Sequence, residues 1–315
     1  MSNLTASEEK RRKRSNRTID VDNHWRSNKT QALGAAASNV EYASHQKKPK
    51  LGDQGKPQVK QLYGNYRGYY RSRRGEHQGT LDPRLTGLGD ERLRDLFRNK
   101  RVLDIGCNEG KVSLDIAITQ HPSYILGVDL DDILVHKAWT RLQGLYSTMN
   151  PKGDVPTLSQ FQYFPQSMTY LHGFLTMDVP PNHPTTNFPF YIDFQAVDIC
   201  DHDFGDEKFD AILALSVTKW IHLHQGDDGL KSVFKKVYDT LNEDGVFILE
   251  PQPYSSYLKR AKTDKKMKKV YDQINFRDDQ FARYLIDELK FKRYETIKPD
   301  APTKGFSREL LIFYK

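Results

Sequence analysis

The sequence has little that marks a secreted, membrane-spanning or zinc-binding protein. Only two cysteines occur among its 315 residues, Cys107 and Cys200, and neither lies in a pairing pattern or at metal-ligand spacing. We therefore expect a reducing compartment, no disulfide framework and no metal site. No apolar run of about 18 residues occurs and the N-terminal stretch is polar and basic, so neither a membrane span nor a secretory signal is expected.

Positive charge is concentrated at the start of the chain. Residues 1 to 60 hold 13 Lys and Arg against 6 Asp and Glu, which accounts for the whole net charge of +7. These residues include few large apolar side chains, so their burial cannot offset the entropy lost when the chain becomes ordered. We therefore expect a disordered basic tail over residues 1 to 60 and one domain over residues 61 to 315. Basic clusters at residues 10 to 14 and 47 to 50 are typical of nuclear import signals or RNA contacts, and we expect nuclear localisation.

From residue 100 onward, apolar runs of strand length alternate with stretches of helical periodicity. This alternation predicts an α/β fold with a mostly parallel sheet. Residues 147 to 190 hold seven prolines and little periodicity, so we expect them to form a surface insertion. The predicted strands are residues 101 to 105, 124 to 129, 193 to 197, 209 to 214, 245 to 250 and 310 to 314, and the predicted helices are 111 to 119, 132 to 146, 229 to 241 and 278 to 289.

A nucleotide-binding turn is predicted after the first strand, in the sequence VLDIGCNEG of residues 102 to 110. Gly106 lets a ligand approach the backbone, and Gly110 lets the next helix pack closely on the strand. Asp129 ends the following strand, where a carboxylate binds ribose hydroxyls, and Asp198 ends another, where it can accept from an adenine amino group. The loop lacks the three glycines usual in NAD enzymes, so adenosylmethionine is favoured over NAD. A structural tight turn and a plain strand end are the alternatives.

Three further segments carry a family resemblance. They are residues 63 to 70 (YGNYRGYY) with Arg73, residues 215 to 223 (LSVTKWIHL) and residues 249 to 257 (LEPQPYSSY), and the chain closes with the similar KGFSR at residues 304 to 308. In order and spacing they resemble the bicoid-interacting-protein family. The resemblance implies a Rossmann-like class I S-adenosylmethionine-dependent methyltransferase, with helices on both faces of the sheet, that methylates the 5′ γ-phosphate of an RNA.

The resemblance also implies which residues form the site. For RNA binding it points to Tyr69, Arg73 and Lys219, which are also the implied catalytic residues, and to Phe306 for stacking on the first base. Arg84 suits a two-pronged contact with the methionine carboxylate, whereas Asp198 departs from the amide-bearing residue expected there. The implied cofactor-binding residues are Tyr70, Arg84, Gly106, Cys107, Asn108, Asp129, Leu130, Asp198, Ile199 and Leu215.

No general base is expected, because a γ-phosphate is largely dianionic near neutral pH and a sulfonium methyl is already activated. For catalysis it should be enough to place the phosphate oxygen in line with the methyl group and the sulfur and to neutralise the phosphate with cationic side chains. His222 and His224 therefore need not be catalytic. The basic stretch at residues 259 to 269 is predicted to form a helical RNA-phosphate platform, the alternative being a solvated charged face.

Several alternatives for the biological role stay open. One is a methyltransferase for 5′-monophosphate RNA, and another is a mainly structural subunit of a small RNA ribonucleoprotein. A small nuclear RNA is the expected partner, and 7SK, a polymerase III spliceosomal RNA and telomerase RNA are each compatible. By resemblance, a La-related protein is the expected protein companion, with no DNA and no membrane among the partners.

Overall fold

The computed structural model describes residues 63–64, 81–151, 161, 163–178, 187–298 and 308–315. The predictions for the tail at residues 1 to 60 and for Tyr69, Tyr70, Arg73 and Phe306 lie outside the described residues. They therefore stay predictions.

A seven-stranded sheet lies at the centre of the described domain. Its strands are β1 (Arg101–Ile105), β2 (Tyr124–Asp129), β3 (Ile192–Ala196), β4 (Phe209–Leu215), β5 (Leu241–Glu250), β6 (Arg293–Ile297) and β7 (Leu310–Tyr314). They follow the order β3-β2-β1-β4-β5-β7-β6, in which β7 runs antiparallel to both of its neighbours and the pairs among β1 to β5 are parallel. The order reverses between β1 and β4, and ligands bind beyond the carboxyl ends of the strands at such a reversal.

Helices connect these strands. They are α1 (Pro83–Thr86), α2 (Asp90–Phe97), α3 (Lys111–Gln120), α4 (Asp132–Thr148), α5 (Gln166–His172), α6 (Thr218–Thr240), α7 (Leu258–Ala261), α8 (Lys265–Tyr271) and α9 (Phe281–Asp287). Parallel crossovers are right-handed, so the reversal of strand order places α3 and α4 on the opposite face of the sheet from α6. The architecture is the Rossmann-like class I methyltransferase fold that the sequence predicts. Among the described helices, none combines the length and the apolarity that crossing a bilayer requires.

An apolar core fixes α6 against the sheet. Val233, Phe234 and Val237 form one buried stripe of the helix and belong to the same cluster as Phe209 of β4 and Phe247 of β5. Burying an apolar side chain of this kind contributes roughly 1.5 to 3 kcal/mol. This packing holds the second half of α6 against β4 and β5.

The elements that differ from the sequence predictions include β6, β5 and α6. The strand β6 was not predicted, because it lies at the sheet edge and its mostly exposed residues lack an apolar pattern. β5 begins at Leu241, four residues before the predicted start. Leu241 pairs with Phe209, and a bulge follows this pair. α6 begins at Thr218 instead of residue 229, and non-helical φ and ψ at Gly226 mark a kink within it.

The predicted insertion at residues 147 to 190 is described in part. Its first two residues, Ser147 and Thr148, complete α4 and are buried. The helix α5 within it has no buried residue, and Tyr170 is 87% exposed. Phe188 is buried and returns the chain to the core before β3.

Candidate functional site

The turn after β1 is built for a close approach of backbone to ligand. The backbone N–H groups of Gly106 and Cys107 both donate to the carbonyl of Val128, at 2.8 and 3.0 Å, which fixes the turn on β2. Gly106 has φ +76°, and a Cβ there would lie 2.9 Å from Val217 Cγ2. Gly110 has φ +70°, and a Cβ there would lie 2.7 Å from the Cβ of Ala138 in α4. Both glycines are therefore required by geometry.

Asp129 lies at the carboxyl end of β2, beside this turn. One carboxylate oxygen accepts the backbone N–H of Asn108 at 2.8 Å, and the other accepts the N–H of Asp131 at 3.0 Å. A carboxylate has about four acceptor positions, so Asp129 can accept further hydrogen bonds from hydroxyl groups. Burial raises its pKa, against the lowering effect of the backbone hydrogen bonds. The ribose contact that the sequence indicates stays a prediction.

Asn108 gives an independent indication that the turn receives a polar group. Its side-chain oxygen is buried, and it has no hydrogen-bond partner among the described residues. A buried acceptor without a donor costs roughly 1 to 3 kcal/mol, which a bound ligand that supplies a donor would relieve. Together with the glycine cradle and Asp129, this acceptor fits an adenosylmethionine-type ligand, whose ribose hydroxyls and ammonium group are donors.

Asp198 organises the turn that follows β3. Its carboxylate accepts the backbone N–H of Cys200 at 2.9 Å, so one oxygen already has a structural role. The ammonium of Lys236 donates to the backbone carbonyls of Ile199, Cys200 and His202 at 2.7, 2.9 and 2.5 Å. This turn is therefore fixed by a cation from α6 as well as by Asp198.

These elements enclose a cavity of about 260 Å³ at the carboxyl ends of β1, β2 and β4. Of the predicted cofactor residues, Gly106, Asp129, Leu130, Asp198 and Ile199 line it. Arg84, Cys107, Asn108 and Leu215 are not among its described lining residues, although the last three are next in sequence to the turns that form it. The remaining described lining residues, which the sequence did not indicate, are Tyr63, Ile105, Val128, Val197, Cys200, Val217, Trp220, Ile221, His224 and Gln225.

Arg84 is buried between two carboxylates. Its Nε and one terminal nitrogen donate to Asp82 at 2.8 and 3.1 Å, and the other terminal nitrogen donates to Glu250 at 3.0 Å. A contact of Arg84 with a methionine carboxylate stays a prediction. In the structure, its guanidinium forms hydrogen bonds with both of these buried carboxylates.

Lys219 lies in the first turn of α6, between two cavity residues. Its neighbours Val217 and Trp220 both line the cavity. Its ammonium is 3.5 Å from Ser256 Oγ and 5.3 Å from the centre of the Trp220 ring. The guanidinium of Arg260 in α7 lies 5.9 Å from the same ring. Two cations therefore gather around one indole at the edge of the cavity.

The two histidines of this region have structural surroundings. His222 is fully buried, its Nε2 is 2.8 Å from a carboxylate oxygen of Asp227, and burial lowers its pKa. The ring of His224 stacks on Tyr63 with centroids 4.4 Å apart at the cavity wall. These contacts agree with the expectation that neither histidine needs to act as a base.

Comparison with known proteins finds relatives that are named as RNA-modifying enzymes. The family model described as Bicoid-interacting protein 3 matches residues 209 to 315. The mouse 7SK snRNA methylphosphate capping enzyme is 34% identical over 283 residues, which are 82% of this chain and 41% of the mouse protein. This chain thus spans about two fifths of that relative.

This chain matches two other relatives over different shares of their length. The Drosophila melanogaster U6 snRNA methylphosphate capping enzyme Amus is 34% identical over 288 residues, which are 88% of this chain and 85% of the fly protein. The mouse RNA 5′-monophosphate methyltransferase is 28% identical over 184 residues, which are 52% of this chain and 50% of that protein.

Proposed function

This chain belongs to the Bicoid-interacting protein 3 family, and on that premise we propose that it moves a methyl group from S-adenosylmethionine to the 5′ γ-phosphate of a small nuclear RNA. The observation that carries the proposal is the placement of Lys219 between two residues that line the cofactor cavity. Two relatives with 34% identity are named as methylphosphate capping enzymes of small nuclear RNAs, which supports the choice of acceptor.

The cofactor supplies the activated methyl group, and this chain supplies its binding surface. Asp129 accepts from the ribose hydroxyls with the acceptor positions that the backbone leaves available. The turn at Asp198, held by Lys236, forms the wall beside the adenine. Gly106 has no Cβ, and Val217 packs against it where a Cβ would lie.

The negative charge of the acceptor phosphate has to be neutralised for methyl transfer, whereas no general base is needed to deprotonate it. Lys219 and Arg260 are the cations beside Trp220, and Ser256 adds a hydroxyl next to the Lys219 ammonium. Charge-assisted contacts to phosphate lower the repulsion that an anionic nucleophile meets and hold it in line with the methyl group. By resemblance, Tyr69 and Arg73 complete this site, and Phe306 stacks on the first base.

A basic surface continues from the acceptor site onto α7 and α8. Residues 259 to 269 form two helical pieces, as predicted, and residues 262 to 264 separate them, with Asp264 capping α8. Lys268 forms an ion pair with Asp272. Exposed lysines are well suited to contact successive RNA phosphates, and the exposed lysines of this surface are Lys259, Lys262, Lys265, Lys266 and Lys269.

The change Lys219→Ala tests the function. Transfer of radioactive methyl groups to a short 5′-triphosphate RNA should fall about 10²- to 10³-fold, the usual cost of removing one preorganised charge contact at a reacting centre. Affinity for S-adenosylhomocysteine should stay close to wild type, because the Lys219 side chain is not among the described lining residues of the cavity.

A matched control is Lys235→Ala, which removes a 65% exposed lysine from the same helix and should leave transfer unchanged. RNAs ending in a monophosphate or a hydroxyl control for the acceptor. A wild-type rate in Lys219→Ala, or a preference of the wild-type protein for monophosphate ends, would overturn γ-phosphate capping.

We also propose that the protein acts in the nucleus, as part of a ribonucleoprotein with its RNA and a La-related protein. The support is the pair of basic clusters at residues 10 to 14 and 47 to 50 and the family resemblance. Crosslinking in cells, followed by sequencing of the bound RNA and analysis of its 5′ end, would identify the substrate. Recovery of RNAs that all carry unmethylated 5′ ends would favour a structural subunit instead.

A further inference from the structure

One buried amide holds the loop between β4 and α6. Gln252 lies two residues beyond the end of β5 and is 4% exposed. Its side-chain oxygen accepts from Thr218 Oγ1 at 2.9 Å and from the backbone N–H of Lys219 at 3.0 Å. Its side-chain nitrogen donates to the backbone carbonyl of Ser216. A single side chain therefore bonds both ends of the segment that leads into Lys219.

The same loop has a second support at Ser216. This residue has φ +62°, a strained conformation for a non-glycine residue that persists only where contacts hold it. Ser216 Oγ donates to a carboxylate oxygen of Glu250 at 2.6 Å, and Arg308 donates to Ser216 Oγ at 2.5 Å. Glu250 and Gln252 flank Pro251, whose ring fixes the backbone between them.

We propose that Gln252 is a positioning residue for methyl transfer, which acts by fixing the backbone from which Lys219 reaches the acceptor phosphate. The inference rests on the proposed function, because it takes Lys219 as the phosphate ligand. A preorganised charge is effective only when it is held in place, and a misplacement of about 1 Å can cost about 10²-fold in rate.

Glutamine is the side chain that this position requires. Leucine has a similar size but would leave the Lys219 N–H, the Thr218 hydroxyl and the Ser216 carbonyl without their present partner. Glutamate has the same length and could keep both acceptor contacts, but it would set a carboxylate oxygen against the Ser216 carbonyl. The two substitutions therefore disturb the loop to different degrees.

The test is single-turnover methyl transfer to 5′-triphosphate RNA at saturating cofactor, for Gln252→Leu in the wild-type and Lys219→Ala backgrounds. We expect a loss of about 10- to 100-fold in the wild-type background and less than about 3-fold in Lys219→Ala, because the positioned group is then absent. The transfer rate of Gln252→Glu should lie between those of wild type and Gln252→Leu. If the leucine variant does not fold, Gln252→Glu takes its place in the test.

The matched control is Asn242→Leu. This residue is in β5, and its side chain donates to Asp210 at 2.8 Å, at the end of the strands opposite Gln252. It should lower the rate less than about 3-fold in both backgrounds. Equal fold-losses for Gln252→Leu with and without Lys219 would mean a general structural role and would overturn the inference.

Hydrogen exchange at the backbone N–H of Lys219 separates this inference from the proposed function. Gln252→Leu removes the acceptor of that N–H, so its exchange should accelerate, whereas Asn242→Leu should leave it unchanged. Unchanged exchange in Gln252→Leu, with a rate that still depends on Lys219, would overturn the inference alone. A wild-type rate in Lys219→Ala would overturn the proposed function and the inference with it.

Discussion

The carboxyl group of Asp104 should make stability depend on pH. It lies in β1 below the cofactor turn, is buried, and accepts a hydrogen bond from Ser113 Oγ at 2.6 Å. Burial raises its pKa to about 6, although the Ser113 hydrogen bond and the charge of Arg84 act in the opposite direction. An aspartate in an unfolded chain titrates near pH ~3.9.

The sign of the effect follows from these two values. Between about pH 4 and pH 6 the folded protein keeps a proton on Asp104 that the unfolded chain has released, so the free energy of unfolding falls as pH rises. The stabilising contribution is complete below the unfolded pKa and is lost above the folded one. A difference of about two pH units corresponds to roughly 3 kcal/mol.

Urea denaturation of Asp104→Asn and wild type across pH 4.5 to 7.5 would measure this contribution. Asparagine keeps an acceptor for Ser113 and removes the ionisable group. Relative to wild type, the variant should therefore gain about 2 kcal/mol in unfolding free energy as pH rises through this interval, because part of the total contribution is already lost at pH 4.5. A stability difference that stays constant with pH would refute the reasoning.

Three further predictions concern the cofactor site and the tail. Asp129→Asn should weaken S-adenosylhomocysteine binding by about 1 to 3 kcal/mol in calorimetry, and measurable NAD binding by wild type would contradict the cofactor assignment. Lys236→Met should weaken the same binding about 10-fold, because three carbonyls of the adenine-side turn lose their donor, whereas the exposed neighbour Lys235→Met should not. Deleting residues 1 to 60 should abolish nuclear accumulation in fluorescence imaging and leave transfer to short RNAs near wild type; continued nuclear accumulation would argue against the import signals.

The strands buried in the middle of the sheet were predictable because parallel strands covered on both faces form apolar runs. β1, β2 and β7 have the predicted bounds. The edge strand β6 was not predictable in this way, since neighbouring residues in space decide its pairing. The start of α6 was also missed, because the predicted helix began at residue 229, and the cavity residues Trp220 and His224 were therefore not placed on it.

The position of the cavity was predictable where it follows from local sequence. Gly106, Asp129 and Asp198 all line it, and each lies at the carboxyl end of a strand or just beyond it, where this fold binds ligands. Their contacts with a cofactor stay predictions. The surroundings of Arg84 were not predictable, because one of its acids lies two residues earlier and the other 166 residues later in the chain. Pairings over such distances depend on the packed fold.

The buried charges around Glu250 limit which residues can meet the acceptor phosphate. Asp82 and Glu250 are paired with Arg84 and Arg308 through contacts of 2.8 to 3.0 Å, so these four groups carry two charges of each sign. Such a set gives no net positive charge to attract a phosphate. Attraction must therefore come from cations outside it, and Lys219 is such a cation, carried on a loop that Ser216 and Gln252 fix. On the proposed function, the balanced network affects the reaction through the geometry of this loop, while Lys219 contributes charge.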